Sequence, residues 1–339
     1  MQQPFGKMPD GRQATMYILT DGVITVHITD FGATVHRIYV PDRNGKLEDI
    51  NLGFDTLVEY QKSTTFFGTV VGRGANRTKD GRFTLNGKEY QMGINDGKNN
   101  LHCGPDFYKD RLWTVESATE NTLVLSLESP DGDQGFPGNA TIKVTYTVKN
   151  QGLYITYDAI CDQDTLFNLT NHSYFNLAGH QYPEKAMDQV LMMPARHFTP
   201  DDAENIPTGE KRSVDGSPMD FRTPKAIGRD IGMDYDALKL QNGYDHNFEV
   251  WCNPCAVLTD PASGRRMEVI TDRCGVQFYS GNFLMGEKGK DGASYCFRGG
   301  ICLETQFYPN AINVPDWEQP ITRAGEPFHS ETAYIFSVE

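Results

Sequence analysis

Two short segments, far apart in the sequence, carry the residues best suited to acid–base chemistry: residues 170–176 and 303–306. In a strand, successive side chains point to opposite faces, so residues of one parity share a face. Around each segment the side chains of one face are largely apolar and those of the other face are polar, and His172 and Glu304 lie on the polar face. An imidazole and a carboxylate on polar strand faces are suited to act as a general acid and a general base.

The alternative interpretation is that both polar faces are simply solvated. A solvated face is usually richer in charge, whereas residues 167–177 contain no Lys, Arg, Asp or Glu. Two such strands, both dense in hydrogen-bonding groups, favour a functional face over a solvated one.

The elements that must position these residues are predicted to be strands. Apolar and polar residues alternate over residues 23–29, 34–40, 123–127, 142–148 and 153–159. Turn dipeptides separate these runs, among them Asn44-Gly45, Asn86-Gly87 and Asp131-Gly132. Strands this short and closely spaced predict an all-β fold, an antiparallel sandwich or barrel. The lack of βαβ alternation argues against a parallel sheet.

Helical patterns are few, and residues 56–62 and 235–240 are the two candidates. Residues 194–224 are rich in Pro, Asp and Gly, and we expect them to form an excursion over the surface. Strand signals continue on both sides of every loop, and no linker stands out. Residues 1–339 are therefore predicted to form a single domain.

Charge and composition exclude several classes of partner. The chain has 31 Lys and Arg against 45 Asp and Glu, a net charge of −14, which opposes binding to nucleic acid or to an anionic membrane. No apolar run approaches the roughly 18 residues that span a bilayer, and residues 1–12 lack the features of a signal peptide. Seven irregularly spaced cysteines do not suggest a disulfide framework. We therefore expect a cytoplasmic protein that binds neither nucleic acid nor membrane.

Loop-like segments offer further polar groups. His102 lies in a polar turn, and Asp245 precedes the start of an aromatic strand. Residues 72–77 are glycine-rich but lack the Gly-Lys-Ser/Thr of a phosphate-binding loop. Asn76 and Arg77 in this loop provide amide and guanidinium donors suited to reading hydroxyls. Each of these residues also has a purely structural interpretation, as a turn, a cap or an exposed hairpin corner.

No nucleophile accompanies these groups, because the chain lacks a Gly-x-Ser-x-Gly elbow and no Cys lies in an activating motif. No dinucleotide-binding fingerprint follows a strand either. Cys252 and Cys255 have the spacing of a zinc knuckle, but no second pair accompanies them, so no metal is expected. The remaining set of donors, acceptors and one acid–base pair suits proton transfer on a neutral polyol.

Taken in order, these motifs resemble those of the aldose 1-epimerases, also called galactose mutarotases. The matching stretches are residues 5–11, 31–34, 52–55, 72–77, 100–102, 170–177, 243–248, 281–284 and 303–306. The resemblance covers nearly the whole chain, and the ordered series is far more specific than any single motif.

The resemblance implies a large antiparallel β-sandwich of the galactose mutarotase type, a supersandwich with few short helices and an open sugar cleft on one sheet. It implies interconversion of the α and β anomers of free aldohexoses such as galactose and glucose, without a cofactor or a metal. Glu304 matches the general base that acts on the C1 hydroxyl, and His172 matches the general acid that acts on the ring oxygen. The expected partner is a small aldose sugar, and the expected state is a monomer or a weak homodimer.

The resemblance also implies a set of sugar-binding positions, namely Asn76, Arg77, His102, Asp245 and Gln277. Tyr174 follows His172 by two residues on the same face, so we expect it to line the same cleft, with Phe283 as an apolar wall.

Two departures from the family pattern lie near the predicted site. Gly74 stands where a branched apolar residue is common, and Cys103 replaces a common glycine after His102. Both are expected to affect loop packing or sugar preference rather than to abolish activity.

Three rival functions remain open at this stage. Glu304 and Asp245 could form the carboxylate pair of a glycoside hydrolase. The cleft could belong to a sugar-binding module without turnover. A hexose-6-phosphate epimerase would need several Arg or Lys residues at the far end of the sugar, and only Arg77 is identified.

Overall fold

β-Strands make up most of the regular structure. The computed structural model describes residues 1–339 and contains 29 strands, two α-helices of six residues each and seven 3₁₀-helices.

Strands of the first half are β1 (Gln2–Lys7), β2 (Gln13–Thr20), β3 (Thr25–Thr29), β4 (Thr34–Pro41), β5 (Leu47–Asp49), β6 (Val70–Val71), β7 (Arg77–Thr78), β8 (Arg82–Leu85), β9 (Lys88–Gln91), β10 (Asn100–Leu101), β11 (Thr114–Ala118), β12 (Thr122–Ser129), β13 (Ala140–Lys149), β14 (Gly152–Cys161), β15 (Thr165–Leu166) and β16 (Thr170–Asn171). Those of the second half are β17 (Val190–Met192), β18 (His197–Thr199), β19 (Arg212–Ser213), β20 (Lys225–Ala226), β21 (Asp245–Glu249), β22 (Ala256–Thr259), β23 (Arg265–Thr271), β24 (Gly275–Tyr279), β25 (Glu287–Lys288), β26 (Ser294–Tyr295), β27 (Cys302–Gln306), β28 (Ile321–Thr322) and β29 (Phe328–Val338). The α-helices are α1 (Leu57–Lys62) and α2 (Asp236–Gln241), and the 3₁₀-helices are Lys79–Gly81, Tyr108–Asp110, Asp133–Gly135, Pro183–Asp188, Ile227–Arg229, Lys290–Gly292 and Ala311–Asn313.

Three sheets form the body of the fold. The largest has nine strands in the order β11-β12-β13-β14-β29-β23-β22-β17-β20. β1 to β5 form a five-stranded meander in chain order, and a second five-stranded sheet has the order β19-β18-β21-β24-β27. Every ladder in these sheets is antiparallel.

One apolar core of 56 buried residues joins these sheets. The long strands of the nine-stranded sheet contribute alternate residues, such as Ile142 and Val144, as the sequence predicted. The two five-stranded sheets contribute residues such as Val26 and Phe278 to the same core. The nine-stranded sheet therefore packs against the other two, which confirms the predicted antiparallel sandwich.

The Asn86-Gly87 turn shows how the sequence fixes a hairpin register. Leu85 and Lys88 pair on either side of it, and the two turn residues have φ values of 53° and 77°. A two-residue hairpin loop whose residues both have positive φ is the type I′ turn, which Asn-Gly adopts readily. Asn86-Gly87 is therefore confirmed as a turn, and it closes the β8–β9 hairpin.

Both predicted helices are confirmed to within one residue. α1 begins after Thr56, whose hydroxyl accepts a hydrogen bond from the Glu59 N–H while the Glu59 carboxylate accepts one from the Thr56 N–H. This reciprocal capping box satisfies two backbone donors at the helix start. No helix in the structure is long and apolar enough to cross a membrane.

Two expectations about local structure are wrong. Residues 170–176 do not form one regular strand, because the chain changes partner repeatedly: Thr170–Asn171 pairs with β6, and Phe175 bridges Asn51 and Ile301. Side-chain parity survives this irregularity better than the strand ladder does. Residues 194–224 are not a surface excursion, because they include β18 and β19 and place Phe198 and Phe221 in the main core.

Arg73 is fully buried and anchors the loop that precedes β7. Its guanidinium donates hydrogen bonds to four carbonyl oxygens, those of Ser129 (2.8 Å), Pro130 (3.4 Å), Pro137 (2.8 Å) and Gly138 (2.9 Å). Buried carbonyls need such partners, because an unpaired one loses its hydration without replacement. Since Asn76 and Arg77 follow within four residues, Arg73 fixes the backbone from which they project.

We predict that Arg73→Met lowers the free energy of unfolding by about 3 kcal/mol, because it leaves several buried carbonyls without donors. The matched control is Arg82→Met, since the Arg82 side chain is 58% exposed, and it should change stability by about 0.5 kcal/mol or less. Urea midpoints measure both. Equal midpoints for the two variants would contradict the anchoring role.

Candidate functional site

The polar parity of β27 lies on the face of its sheet that points away from the core. Leu303 packs in the core, and its carbonyl accepts a hydrogen bond from the Tyr334 hydroxyl at 3.1 Å. Thr305, on the same side, hydrogen-bonds the Thr332 hydroxyl of β29. These contacts hold the strand against the large sheet, so Glu304 must project to the opposite face.

The backbone of His172 is held by the loop before β6. The His172 N–H donates to the Thr69 carbonyl, and the Gly68 N–H donates to the His172 carbonyl, both at 2.9 Å. The Asn171 amide also donates to the Gly68 carbonyl at 2.7 Å. A short irregular segment with three such bonds orients its side chain as firmly as a strand would.

The structure brings His172 and Glu304 together. His172 Nε2 lies 3.7 Å from Glu304 Oε1, and both side chains are at least 93% buried. The other carboxylate oxygen, Oε2, is buried and has no hydrogen-bond partner in the protein. The pair lies at a cleft that contains about 750 Å³ of empty space, counting the open space at its mouth.

Most of the predicted site residues line this cleft. They are Asn76, Arg77, His102, His172, Tyr174, Asp245, Phe283 and Glu304. Gln277 is not among the residues that line the cleft; it pairs with Glu304 in the β24–β27 ladder and donates a hydrogen bond from Nε2 to Asp245 Oδ1 at 2.7 Å. The structure thus places Gln277 where it orients the Asp245 carboxylate, and its direct contact with a sugar stays a prediction.

Two loop residues with positive φ carry the donor groups opposite the pair. Asn76 (φ 63°) and His102 (φ 53°) flank the short β7–β10 ladder and bond each other, since the Asn76 N–H donates to His102 Nδ1 at 3.1 Å. Arg77 donates from Nε to Asp96 at 2.7 Å. Left-handed backbone at non-glycine residues is costly and concentrates at functional sites.

Burial dominates the electrostatics of the acid–base pair. It lowers the pKa of His172 to about 4, opposed in part by the backbone carbonyl of His172 itself. It raises the pKa of Glu304 well above its ordinary value, and the negative charge of Asp245 adds to this while Arg77 opposes it. Both shifts disfavour the charged form of the group, so burial favours the neutral imidazole and the protonated carboxyl over the ion pair.

His102, His172 and Glu304 each present a potential metal-ligating atom, and these atoms lie within 4.8 Å of one another. However, His102 Nδ1 accepts the Asn76 N–H, so in the neutral ring the proton resides on Nε2. That nitrogen is then a donor with no lone pair for a metal. The trio suits the hydrogen bonding of an oxygen substrate better than it suits a cation.

Several wall residues could not be found from the sequence. They are Thr64, Thr65, Phe66, Tyr279, Leu284 and Glu287. Phe66 matters most, because its ring stacks on that of His172 at 5.7 Å with an interplanar angle of 20°. Tyr174, which the sequence did predict, stacks on the same imidazole at 5.0 Å and 15°. No periodic pattern marks Phe66, because it lies in a loop after α1.

The two departures near the site form one packing unit. The Cys103 thiol donates to the Gly74 carbonyl at 2.9 Å, and the Gly74 N–H donates to Cys103 Sγ at 3.0 Å. A Cβ at Gly74 would lie 3.4 Å from that sulfur and 3.3 Å from the Phe136 ring. Cys103 also has φ 64°, a conformation that glycine adopts without strain. The thiol therefore occupies the space that a branched residue at position 74 would need.

The fold and the cleft define a class of all-β sandwich proteins with an acid–base pair on the outer face of one sheet. Comparisons with known proteins agree. The sequence profile of a family described as Aldose 1-epimerase matches residues 15–335. Galactose mutarotase of Sus scrofa is 41% identical over 98% of this chain and 97% of its own, and aldose 1-epimerase of Haemophilus influenzae is 37% identical over 99% of both. The chain belongs to the aldose 1-epimerase family.

Solved structures give the same result. The GalM/aldose epimerase homologue from C. elegans superposes with a TM-score of 0.88 at 31% identity, covering 95% of this chain and 98% of that one. Galactose 1-epimerase from Lactobacillus acidophilus superposes with a TM-score of 0.87 at 27% identity, covering 100% and 98%. The supersandwich expectation is thereby confirmed.

The Gly74–Cys103 unit makes a prediction for a double-mutant cycle. Gly74→Val should destabilise the protein by about 1–3 kcal/mol, because the new side chain would collide with the Cys103 sulfur and the Phe136 ring. Adding Cys103→Gly should restore at least half of that loss, since it removes the sulfur and suits the left-handed backbone. Unfolding midpoints of the two single variants and the double variant measure the coupling. Strictly additive effects would show that the two positions are independent.

Proposed function

We propose that this protein is an aldose 1-epimerase that interconverts the α and β anomers of free aldoses by opening and closing the ring, with His172 and Glu304 as the acid–base pair. The observation that carries the proposal is the 3.7 Å separation of His172 Nε2 and Glu304 Oε1 in a cleft lined by polar groups. The curated relatives are named galactose mutarotase and aldose 1-epimerase. We further propose that the chain acts as one catalytic domain, since its core draws on residues from Tyr17 to Phe336.

The proposed reaction needs one proton donor and one proton acceptor close together. The hydroxyl on C1 and the ring oxygen share a single carbon, so a base and an acid that serve them must each lie within hydrogen-bond reach of adjacent atoms. Glu304 removes the C1 hydroxyl proton while His172 Nε2 protonates the ring oxygen, and the bond between C1 and that oxygen breaks. Rotation about C1–C2 presents the other carbonyl face. Closure returns the ring-oxygen proton to His172 and the Glu304 proton to the new hydroxyl, so no proton is gained or lost.

The remaining wall residues have proposed roles in holding the sugar. Asn76, Arg77, His102 and Asp245 offer hydrogen-bond donors and acceptors to its hydroxyls. His102 presents Nε2–H to an oxygen, because Nδ1 is engaged by the Asn76 backbone. Tyr174 and Phe283 supply apolar surface for the sugar ring.

Specific features weigh against the rivals. The 3.7 Å neighbour of Glu304 is an imidazole, a group that has no part in the two-carboxylate mechanism of a glycoside hydrolase. Arg77 is the only Lys or Arg in the cleft wall, and it is paired with Asp96. The wall also carries the carboxylates of Asp245, Glu287 and Glu304, so a phosphorylated sugar would meet repulsion. A binding module without turnover would not depend on the pair.

We predict that Glu304→Gln and His172→Asn each lower kcat by about 10²- to 10⁴-fold, because each removes one positioned proton-transfer group. Polarimetry of freshly dissolved α-D-glucose and α-D-galactose, corrected for the spontaneous rate, measures this. Matched controls are Glu331→Gln and His329→Asn, both exposed on β29, which should retain wild-type rates. Wild-type rates for both cleft variants would refute the assigned roles.

We also predict that Asp245→Asn moves the alkaline limb of the kcat/KM profile to lower pH by roughly half to one unit. The negative charge of Asp245 raises the pKa of Glu304, so removing it makes the last proton of the pair leave at lower pH. The profile of kcat/KM reports groups of the free enzyme, which separates this shift from any weaker sugar binding. An unmoved or upward-shifted limb would contradict the electrostatic assignment.

A further inference from the structure

The second ring nitrogen of His172 has a partner that neither the sequence motifs nor the proposed reaction assigns. Cys302 Sγ lies 3.5 Å from His172 Nδ1, within hydrogen-bond distance for sulfur. Cys302 precedes Glu304 by two residues on the same face of β27. Side chains of one strand therefore contact both nitrogens of the imidazole: the Glu304 carboxylate lies at Nε2 and the Cys302 thiol at Nδ1.

Stacking fixes the plane in which these contacts are made. The imidazole lies nearly parallel to Phe66 (20°) and to Tyr174 (15°). Tilting the ring out of this plane would break both stacks, and a half-turn that keeps the plane would put carbon atoms in place of the nitrogens at Glu304 and Cys302. The ring therefore has one orientation in which Nε2 faces the cleft and Nδ1 faces the sulfur.

We propose that Cys302 is a positioning residue for the acid–base reaction: its sulfur accepts a hydrogen bond from Nδ1–H of His172 and so keeps Nε2 as the only nitrogen that exchanges a proton with the sugar. The inference rests on the function proposed above. After Nε2 has protonated the ring oxygen, the ring is neutral with its proton on Nδ1. Nε2 then holds a lone pair and is ready to take the proton back during closure.

A thiol suits this role better than the carboxylate that often holds a catalytic histidine. Burial raises the pKa of Cys302 well above its ordinary value, so the group stays an uncharged thiol. Sulfur is a weak hydrogen-bond acceptor, so it orients Nδ1–H while doing little to stabilise the imidazolium. A carboxylate would stabilise the imidazolium strongly and make Nε2 a poorer acid.

The other titratable groups that face His172 do not contact Nδ1. Glu304 faces Nε2, the ring of His102 approaches edge-on at 5.3 Å, and Tyr174 lies over the ring face. The charged groups Arg77 and Asp245 belong to the same cleft wall. Cys302 is the only side chain within hydrogen-bond distance of Nδ1.

The direct test is the tautomer of His172, read from ¹⁵N-detected NMR of the imidazole in the intact enzyme without sugar. His172→Asn identifies the resonance. We expect the neutral ring of the wild type to carry its proton mainly on Nδ1. In Cys302→Ala we expect a more even mixture of the two tautomers. A wild-type ring with a bare Nδ1 would overturn the proposal. This readout is independent of turnover, so it separates a failure of this inference from a failure of the proposed enzyme activity.

Kinetics supply the second test. Cys302→Ala should lower kcat by about tenfold with KM changed by less than about twofold, because ring orientation is lost while sugar contacts remain. Cys302→Ser should recover kcat to within about threefold of wild type, since a hydroxyl also accepts the bond. Cys255→Ala, a buried cysteine of the main core, is the matched control and should leave kcat unchanged. If Cys302→Ala keeps wild-type kcat, or lowers it no more than Cys255→Ala does, the positioning role is wrong.

A charge-bearing variant separates positioning from packing. In Cys302→Asp a carboxylate next to Nδ1 should raise the pKa of His172 by about one to two units and move the alkaline limb of the kcat/KM profile to higher pH. A packing defect would lower activity without moving the limb. If the Asp variant does not fold, the Ala and Ser variants and the tautomer measurement decide the matter. A folded Asp variant with an unmoved limb would count against the proposal.

Discussion

A buried imidazole and a buried carboxylate lie 3.7 Å apart in the cleft, and the proton transfers proposed for this protein require both. Burial penalises the charge on each group, which lowers the pKa of His172 and raises that of Glu304. Burial therefore shifts the shared proton from the imidazole towards the carboxylate, relative to the same pair in water. A fully solvated pair would favour imidazolium and carboxylate strongly. Each proton transfer to the neutral pair would then cost the free-energy difference between the two states.

Holding such a pair requires a rigid frame, and the sandwich provides it through the two faces of single strands. On β27 the core face carries Leu303 and Thr305, bonded to β29 of the large sheet, while the outer face carries Cys302 and Glu304. The same division occurs on β24, where Phe278 is in the core and Gln277 supports Asp245. Core packing on one face of each strand thus fixes the positions of the functional side chains on its other face.

The opposite wall of the cleft is built from loops, and its rigidity has a different source. Arg73 bonds buried carbonyls, the Cys103 thiol bonds both backbone groups of Gly74, and Asn76 bonds His102 across the short ladder. Each of these contacts satisfies a buried polar group and thereby fixes a loop that no regular ladder holds. The result is a wall that combines left-handed backbone with well-defined donor positions, as binding sites often require.

Local periodicity, turn chemistry and side-chain parity were enough to predict the all-β class, both helices, the Asn86-Gly87 turn and the candidacy of His172 and Glu304. Loop chemistry also pointed to Asn76, Arg77, His102 and Asp245 as polar candidates; the family resemblance joined them into one site and added Gln277. Three features came from tertiary contacts alone: residues 170–176 break their strand, Gln277 pairs with Glu304 while its amide bonds Asp245, and Phe66 and Cys302 contact the imidazole. These facts arise from contacts between segments as much as 130 residues apart, and local sequence patterns carry no record of which distant segments will meet.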